Sequence, residues 1–142
     1  MQKYLFQGKR KDNGEWIEGN YVFEIQSECG TDICIANGAI GANDYSEILG
    51  DYYEVVAETV RLYTNFKDKN GRKIFVGDII RISKFLYVVT LDAIGAFLCH
   101  SDNDKTIFND MLLSDWKTED IEVVGNTEDN PELLNKQNTV EI

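Results

Sequence analysis

The sequence contains a single histidine, His100, and only three cysteines. Catalytic triads that depend on histidine and metal sites built from several histidines therefore have almost no residues from which to form. The glycine-rich motifs of P-loop and dinucleotide-binding proteins are absent, and so is the Gly-x-Ser-x-Gly motif of the α/β hydrolases. We therefore expect a protein that is not an enzyme, and we assign no catalytic, cofactor-binding or metal-binding residue and no cofactor.

Basic residues are also scarce, since 14 Lys and Arg stand against 25 Asp and Glu and give a formal net charge of −11. Residues 1–60 carry 4 basic and 11 acidic groups, and residues 61–142 carry 10 and 14. Non-specific binding to phosphates requires a basic excess, which neither half has. A nucleic-acid partner is possible but disfavoured by this charge, whereas a protein partner with a basic surface is not excluded.

The sequence has no long apolar run. No segment approaches the ~18 apolar residues of a membrane span, and the N-terminus lacks the apolar region of a secretion signal. The odd number of cysteines, at Cys29, Cys34 and Cys99, is typical of free thiols in a reducing compartment. We therefore expect a cytoplasmic protein without a membrane partner.

Proline is nearly absent, with Pro131 alone, whereas glycine, tyrosine and phenylalanine are frequent. Turn-forming Gly, Asn and Asp residues separate short segments rich in aromatic and β-branched side chains, a pattern that predicts a mostly β protein. The segment 85–91 is almost continuously apolar and is predicted as a central buried strand. Other predicted strands lie at 3–7, 15–18, 21–25, 31–36, 52–56, 58–63, 79–82, 96–100, 106–108 and 121–124.

Three regions are predicted along the chain. Residues 1–58 form an N-terminal β region of hairpins and sheet, with a mobile loop near 37–50 and one helical turn at 46–49. Residues 59–128 contain five or six short antiparallel strands, enough for a small SH3-like β-barrel. Residues 129–142 form a short helix and a frayed tail, with Asn130 as the N-cap and Pro131 at the first position.

Two groups of residues contain the side-chain types that bind metals. Cys29, Cys34, Cys99 and His100 supply four potential zinc ligands, but adjacent residues of a strand point to opposite faces, so buried or half-buried free thiols are expected. Residues 102–104, Asp-Asn-Asp, resemble the start of a calcium loop that lacks the required glycine at its sixth position, so a solvated turn is expected.

Four other features have both a functional and a structural interpretation. Asp78 either lines the mouth of a barrel or bonds backbone N–H groups in its own turn, and the second is favoured. Trp16 and Trp116 are interpreted as core or turn packing rather than as ligand platforms. The basic run, residues 9–11 (Lys-Arg-Lys), is interpreted as a solvated hairpin end, although it could contact phosphate.

Three segments together resemble the YopX family of phage and prophage proteins. Residues 67–80 read Lys-Asp-Lys-Asn-Gly-Arg-Lys-Ile-Phe-Val-Gly-Asp-Ile-Ile, residues 123–134 read Val-Val-Gly-Asn-Thr-Glu-Asp-Asn-Pro-Glu-Leu-Leu, and residues 6–19 contain the family's Gly-x-Trp-x-x-Gly hairpin. Two positions depart from the pattern: Val76 stands where an acidic residue is usual, and Asn65 where glycine is frequent. The resemblance implies a mostly β protein with an SH3-like barrel, encoded by a phage or prophage and located in the host bacterial cell. It brings no reaction and no catalytic residues.

The leading functional hypothesis is a non-enzymatic phage accessory protein that binds another protein or its own copies. It depends on the small β architecture, the many aromatic residues and the lack of a catalytic constellation. The alternative is a nucleic-acid-binding small barrel, which depends on analogy between folds alone.

Overall fold

A computed structural model describes residues 4–36, 52–100 and 111–134. This part of the chain is mostly β, as the sequence predicts, with short 3₁₀ turns and one short helical segment at 132–134. The chain divides into two compact units, Met1–Tyr63 (unit 1) and Thr64–Ile142 (unit 2).

Unit 1 consists of antiparallel strands in two sets. Its strands are β1 (Phe6–Lys9), β2 (Trp16–Gly19), β3 (Tyr21–Ser27), β4 (Gly30–Ala36), β5 (Tyr52–Val55) and the first residues of β6 (Arg61–Lys67). In the first set β1 pairs with β2 and β6, and in the second β4 lies between β3 and β5. A 3₁₀ turn, Ala57–Thr59, connects β5 to β6.

The turn between β1 and β2 forms as the sequence predicts. Gly14 adopts a φ of 74°, which glycine tolerates without strain, and the Asn13 side chain accepts the N–H of Glu15 at 2.9 Å. The backbone N–H of Arg10 donates to the Glu15 carbonyl at 2.9 Å and closes the hairpin. The hairpin therefore presents the basic run and Trp16 on its two arms.

Two glycines allow the hairpin to approach β4 and β5 closely. A Cβ atom added at Gly8 would lie 2.9 Å from Cδ1 of Ile35, and one added at Gly19 would lie 2.6 Å from the carbonyl oxygen of Ala36. The side chains of Ile35 and Val55, which are 1% and 0% exposed, occupy the space next to Gly8. The core of this unit therefore depends on backbone positions that have no side chain.

The outer edge of β5 is covered by the basic run. Val56 donates its N–H to the Lys9 carbonyl at 2.8 Å, and Lys11 donates to the Glu54 carbonyl at 3.0 Å. Arg10 and Val55 form a single antiparallel bridge between these bonds. The backbone of residues 9–11 thus serves as a short strand beside β5.

Unit 2 contains one antiparallel sheet of five strands in the order β11-β10-β9-β8-β12, together with the rest of β6 and β7. The strands are β7 (Lys73–Phe75), β8 (Asp78–Ile82), β9 (Phe85–Leu91), β10 (Phe97–His100), β11 (Met111–Leu112) and β12 (Ile121–Asn126). Two 3₁₀ turns, Leu113–Asp115 and Thr118–Asp120, precede β12. The pairing of β12 with β8 shifts between Val123 and Gly125, which leaves a bulge at Val124.

The core of unit 2 lies on one face of this sheet. Its buried members are Ile74, Ile80, Ile82, Val89, Cys99, Leu113, Ile121 and Val123. Strand β9 is central, as its apolar sequence predicts, but the predicted burial is found only in its middle. Val89 is fully buried, whereas Phe85 and Leu91 at the two ends are 48% and 45% exposed, because a strand of seven residues extends beyond the core that covers its middle.

The described strands form no closed barrel, so the predicted SH3-like barrel is not found among them. One end strand, β11, has only two residues. At the other end, Lys69 donates its N–H to the Ile121 carbonyl at 2.9 Å, and the carboxylate of Asp68 accepts the N–H of Val123 at 2.9 Å. A turn therefore occupies the edge of β12 where another strand would have to pair to close a barrel.

The C-terminal motif folds into a turn before a short helix. Asn130, predicted as an N-cap, bonds backward instead: its Oδ1 accepts the N–H of Asn126 at 3.2 Å, because the bulged end of β12 brings this N–H within reach. Residues 132–134 are helical, after Pro131 in a turn. The predicted loop at 37–50, the helical turn at 46–49, the strand at 106–108, residues 102–104 and the tail from 135 onward lie outside the described residues.

Candidate functional site

Three aromatic side chains form a row across one face of the β3-β4-β5 sheet. Tyr21 and Phe23 are alternate residues of β3, and Tyr52 of β5 lies beyond them across β4. The ring centroids of Tyr21 and Phe23 are 5.7 Å apart, and those of Phe23 and Tyr52 are also 5.7 Å apart, with tilted planes in both pairs. Tyr21 and Tyr52 are 42% and 37% exposed, while Phe23 is 9% exposed. We call these three residues the aromatic row.

The aromatic row rests on buried small side chains. Cys34 and Ala36 of β4 are 0% and 3% exposed and form one apolar cluster with Phe23, against which Ile25 packs. Desolvation by burial raises the pKa of the Cys34 thiol, so this sulfur stays protonated at neutral pH. The row is therefore a surface supported from below rather than a set of isolated exposed rings.

Arg10, in the middle of the basic run, is held by an acid and by a ring. Its Nε and Nη2 donate to the two carboxylate oxygens of Asp12 at 2.9 and 2.6 Å. This hydrogen-bonded pair raises the pKa of Arg10 and lowers the pKa of Asp12. The guanidinium carbon also lies 4.2 Å from the ring centroid of Tyr53, within cation–π distance.

The two lysines of the basic run have partners as well. The Nζ of Lys11 donates to Oδ1 of Asp32 at 3.1 Å, and this bond raises the pKa of Lys11. The Nζ of Lys9 lies 5.6 Å from the ring centroid of Trp16. The ion pairs of Arg10 and Lys11 reduce the positive potential that the sequence alone suggests for this hairpin.

Trp16 packs between two cations rather than offering an open platform. The guanidinium carbon of Arg61, a residue only 8% exposed, lies 4.4 Å from the Trp16 ring centroid, and Arg61 also donates to the side chain of Gln7. Lys9 lies over the same indole. Trp116 is half-buried against the core of unit 2, and its Nε1 has no hydrogen-bond partner in the described part of the chain. Both tryptophans are packing residues, as interpreted from the sequence.

A depression of about 410 Å³ lies beside the aromatic row. It is lined by Lys11, Asp12, Tyr52, Tyr53 and Glu54. Phenol rings and charges of both signs meet here, so the depression can hold a polar or charged side chain of a partner through hydrogen bonds and ion pairs. It extends the aromatic row toward the hairpin and completes the candidate site.

The four potential zinc ligands are divided between the two units. Cys99 is buried in the core of unit 2, where desolvation raises the pKa of its thiol to about 12, and the adjacent His100 pairs with Val88. Cys34 belongs to the core of unit 1, and Cys29 is exposed on the β3–β4 turn. Among the residues that the structure describes, no three His, Cys, Asp or Glu side chains gather as a metal site would require.

Two buried aspartates stabilise turns of unit 2. Oδ2 of Asp78 accepts the N–H of Phe75 at 2.8 Å, which confirms the turn role expected for this residue. Asp68 is 2% exposed and accepts three backbone N–H groups, from Asn70, Arg72 and Val123, each at 2.9 Å. The bond to Val123 had no sequence signal, because it joins residues far apart in the chain.

The aromatic row was not predicted from the sequence. Tyr21 and Phe23 alternate in a predicted strand, which was a signal that they share a face. Nothing in the sequence indicated that Tyr52, which is far from β3 in the chain, lies on the same face. The depression was missed for the same reason, since it joins the hairpin turn to β5.

Comparisons with known proteins identify one family. The family model described as YopX protein matches residues 5–135 of the chain. No curated protein matches the sequence. In the part of the chain that the structure describes, no helix is long and apolar enough to cross a membrane.

Proposed function

Because the chain belongs to the YopX family, with a match over residues 5–135, we propose that it is a phage or prophage accessory protein. It acts in the bacterial cytoplasm as a non-enzymatic protein-interaction module. Unit 1 carries the interaction surface, which consists of the aromatic row and the adjacent depression. Unit 2 contributes an independent apolar core.

The aromatic row is the observation that carries this proposal. Tyrosine is enriched where proteins bind one another, since its ring offers a large rigid contact area and its hydroxyl bonds a partner. Tyr21 and Tyr52 expose their rings while Phe23 and the buried cluster fix them in place. A partner therefore meets a surface that is already ordered, which reduces the entropic cost of binding.

Charge supports a protein partner over a nucleic acid. Arg10 and Lys11 are paired with Asp12 and Asp32, and the chain as a whole carries a formal net charge of −11. A polyphosphate backbone approaching this surface meets few available cations. The net negative charge of the chain repels a polyphosphate, but it does not repel a protein with basic or neutral side chains. Nucleic-acid binding through a small barrel is the weaker alternative, because the described strands form no closed barrel.

The test compares capture by variants of the aromatic row. The tagged protein, the double variant Tyr21→Ser/Tyr52→Ser and the control variant Tyr4→Ser are used to capture proteins from host cells that carry the prophage. Tyr4 is 70% exposed and lies outside the row, so it controls for the loss of an exposed tyrosine. We expect the wild type and Tyr4→Ser to retain the same partner and the double variant to lose it.

Two results would overturn the proposal. One is a wild-type protein that neither captures a partner nor self-associates in light scattering after size-exclusion chromatography. The other is a protein that binds a 30-mer of single-stranded DNA at low salt and releases it as the salt concentration rises. Thermal unfolding of each variant shows that any loss of capture does not reflect a loss of folding.

A further inference from the structure

Strand β3 lies at one edge of the β3-β4-β5 sheet. It runs from Tyr21 to Ser27, pairs along its whole length with β4, and has no strand on its other side within the described residues. Tyr21, Glu24 and Gln26 are exposed. An edge of this kind presents backbone donors and acceptors to any chain that can pair with it.

The backbone bonds of β5 determine which residues of β3 face outward. Val56 and Glu54 bond to residues 9–11, so the peptide groups of Val55 point to β4. The peptide groups of successive strand residues point alternately to the two sides of a strand, so those of Cys34 point toward Phe23 of β3. The peptide groups of Phe23 point back toward β4, and the N–H and C=O groups of Glu24 therefore point away from β4. The same holds for the residues two positions to either side of Glu24. The outward-facing residues, which we call the free edge, are Val22, Glu24 and Gln26.

Other strand edges in the described chain are covered or short. The edge of β5 is bonded to residues 9–11, and that of β12 is bonded to Asp68 and Lys69. Strands β2, β7 and β11 have four, three and two residues. By contrast, β3 has seven residues and contains no proline, and its pairing with β4 shows no register shift. Of the features that usually protect an edge, the described residues of β3 carry one, the charge of Glu24.

We propose that an extended segment of a protein partner adds to β3 as a further strand of this sheet. The inference rests on the proposed protein-interaction function and names how the partner binds. The free edge supplies the backbone hydrogen bonds, and the side chains of β3 select the sequence of the segment.

The two faces of β3 define the partner's chemistry. Tyr21, Phe23 and Ile25 lie on one face, so the residues of the added strand beside them are apolar or aromatic. Glu24 lies exposed on the other face between Val22 and Gln26, so the residue opposite it is Lys or Arg. The segment therefore reads apolar–basic–apolar at successive positions.

Strand β3 of a second copy of the chain does not satisfy this pattern. Strand β3 reads Tyr-Val-Phe-Glu-Ile-Gln-Ser and has no basic residue. In an antiparallel pairing of two copies, Glu24 would face another Glu24, a Val22 or a Gln26. Like charges directly opposite each other destabilise a sheet, and the other two registers leave Glu24 without a cation.

The binding experiment uses a defined probe, because the natural partner segment is unidentified. The probe is the acetylated peptide Ser-Tyr-Thr-Val-Lys-Val-Thr-Tyr-Ser, and its matched control has Glu in place of Lys. Titration calorimetry gives the affinities, and amide hydrogen exchange locates the bound peptide. We expect slower exchange at Glu24 and its neighbours in the free edge, and tighter binding of the Lys peptide than of the Glu peptide.

Two variants at Glu24 test the mechanism. Glu24→Lys should reverse the preference between the two peptides by about three- to ten-fold, because it exchanges attraction for repulsion across the strands. Glu24→Pro removes the outward N–H without removing a bond to β4, so it should abolish binding of both peptides. The proposal is overturned if the peptides protect residues outside β3, or if Glu24→Lys leaves the preference unchanged.

The natural partner separates this inference from the proposed function. If Glu24→Pro retains the partner that Tyr21→Ser/Tyr52→Ser loses, strand addition is wrong and the interaction module stands. If the wild type captures no partner and stays monomeric, the proposed function fails before this inference is reached. A dimer cross-linked through β3 would overturn the assignment of the site to a basic segment of another protein.

Discussion

The Oδ2 atom of Asp68 accepts a hydrogen bond from the backbone N–H of Val123 at 2.9 Å, although 55 residues separate the two in the chain. The same carboxylate closes its own turn by accepting the N–H groups of Asn70 and Arg72. One buried side chain therefore fixes the turn between β6 and β7 and attaches that turn to the edge of β12. The sheet of unit 2 ends at this bond.

Replacement of Asp68 by alanine should lower the free energy of unfolding by about 3 kcal/mol or more, because three N–H groups lose a charged acceptor and one is buried. Urea denaturation measures the change. Asp92 is a matched control, since it accepts two N–H groups within its own exposed turn, and Asp92→Ala should cost about 1 kcal/mol. Equal losses in the two variants would contradict the role of the long-range bond.

The contribution of Asp68 should depend on pH. Burial raises the pKa of this carboxyl, but the three N–H donors outweigh burial and leave the folded pKa below its usual value. The stabilisation is therefore present above the unfolded pKa of about 3.9 and is lost as the pH falls through the folded pKa. We expect the difference in unfolding free energy between wild type and Asp68→Asn to shrink below about pH 4. A difference that stays constant from pH 7 to 3 would contradict this.

Gly19 should tolerate no side chain. A Cβ at this position would lie 2.6 Å from the Ala36 carbonyl oxygen, a backbone atom that cannot move away cheaply. Gly19→Ala should therefore destabilise the protein by about 2–3 kcal/mol in thermal or urea unfolding. Gly8→Ala should cost less, because its nearest neighbour is the flexible end of Ile35. A larger loss of stability for Gly8→Ala than for Gly19→Ala would contradict the close approach of Gly19 to the Ala36 backbone.

The protein should gain stability when Asn65 is changed to glycine. The φ of Asn65 is 71°, in the left-handed region that glycine adopts without strain. We expect Asn65→Gly to raise the free energy of unfolding by about 0.5 kcal/mol and Asn65→Ala to lower it by about 1 kcal/mol. Lys67, an exposed residue of the same strand, is the control. At this position the Lys67→Gly variant should be less stable than the Lys67→Ala variant.

The three cysteines should react at very different rates with a thiol reagent at pH 8. Cys29 is exposed, whereas Cys34 and Cys99 are 0% exposed, and burial raises the pKa of Cys99 to about 12. One rapid equivalent is therefore expected in the native protein, and all three should react in denaturant. The variant Cys29→Ser should lose the rapid equivalent, and a remaining fast thiol would contradict the burial of the other two.

Local features of the fold were predictable because they depend on neighbouring residues. The hairpin between the predicted strands 3–7 and 15–18 turns at Asn13, which bonds its own backbone, and at Gly14, which tolerates a positive φ. The mostly β class followed from the same reasoning. The central position of β9 was also predicted, since an apolar run of this length is typical of a strand with neighbours on both sides.

The features that were missed join distant parts of the chain. A count of strands predicted a barrel, but it contained no information on pairing order, and Asp68 and Lys69 occupy the edge that would have to close. The aromatic row requires β5 to pair with β4, although the two strands are not adjacent in the chain. Both features, the carboxylate at the edge of β12 and the rings that meet across the sheet, depend on tertiary contacts. The periodicity of a sequence carries no information on such contacts.

The attachment of Asp68 to Val123 also has a consequence for the order in which the protein acquires structure during synthesis. All the strand pairs described in unit 1 are available once Leu62 has left the ribosome, because β6 is the last partner that β1 needs. In unit 2, by contrast, β8 has no neighbour on its β12 side and the Asp68 carboxylate has no distant donor until Val123 has emerged. The described strand pairs of the first unit can therefore form early during synthesis, whereas the sheet of the second unit is completed only after β12, the last of the described strands, has been translated.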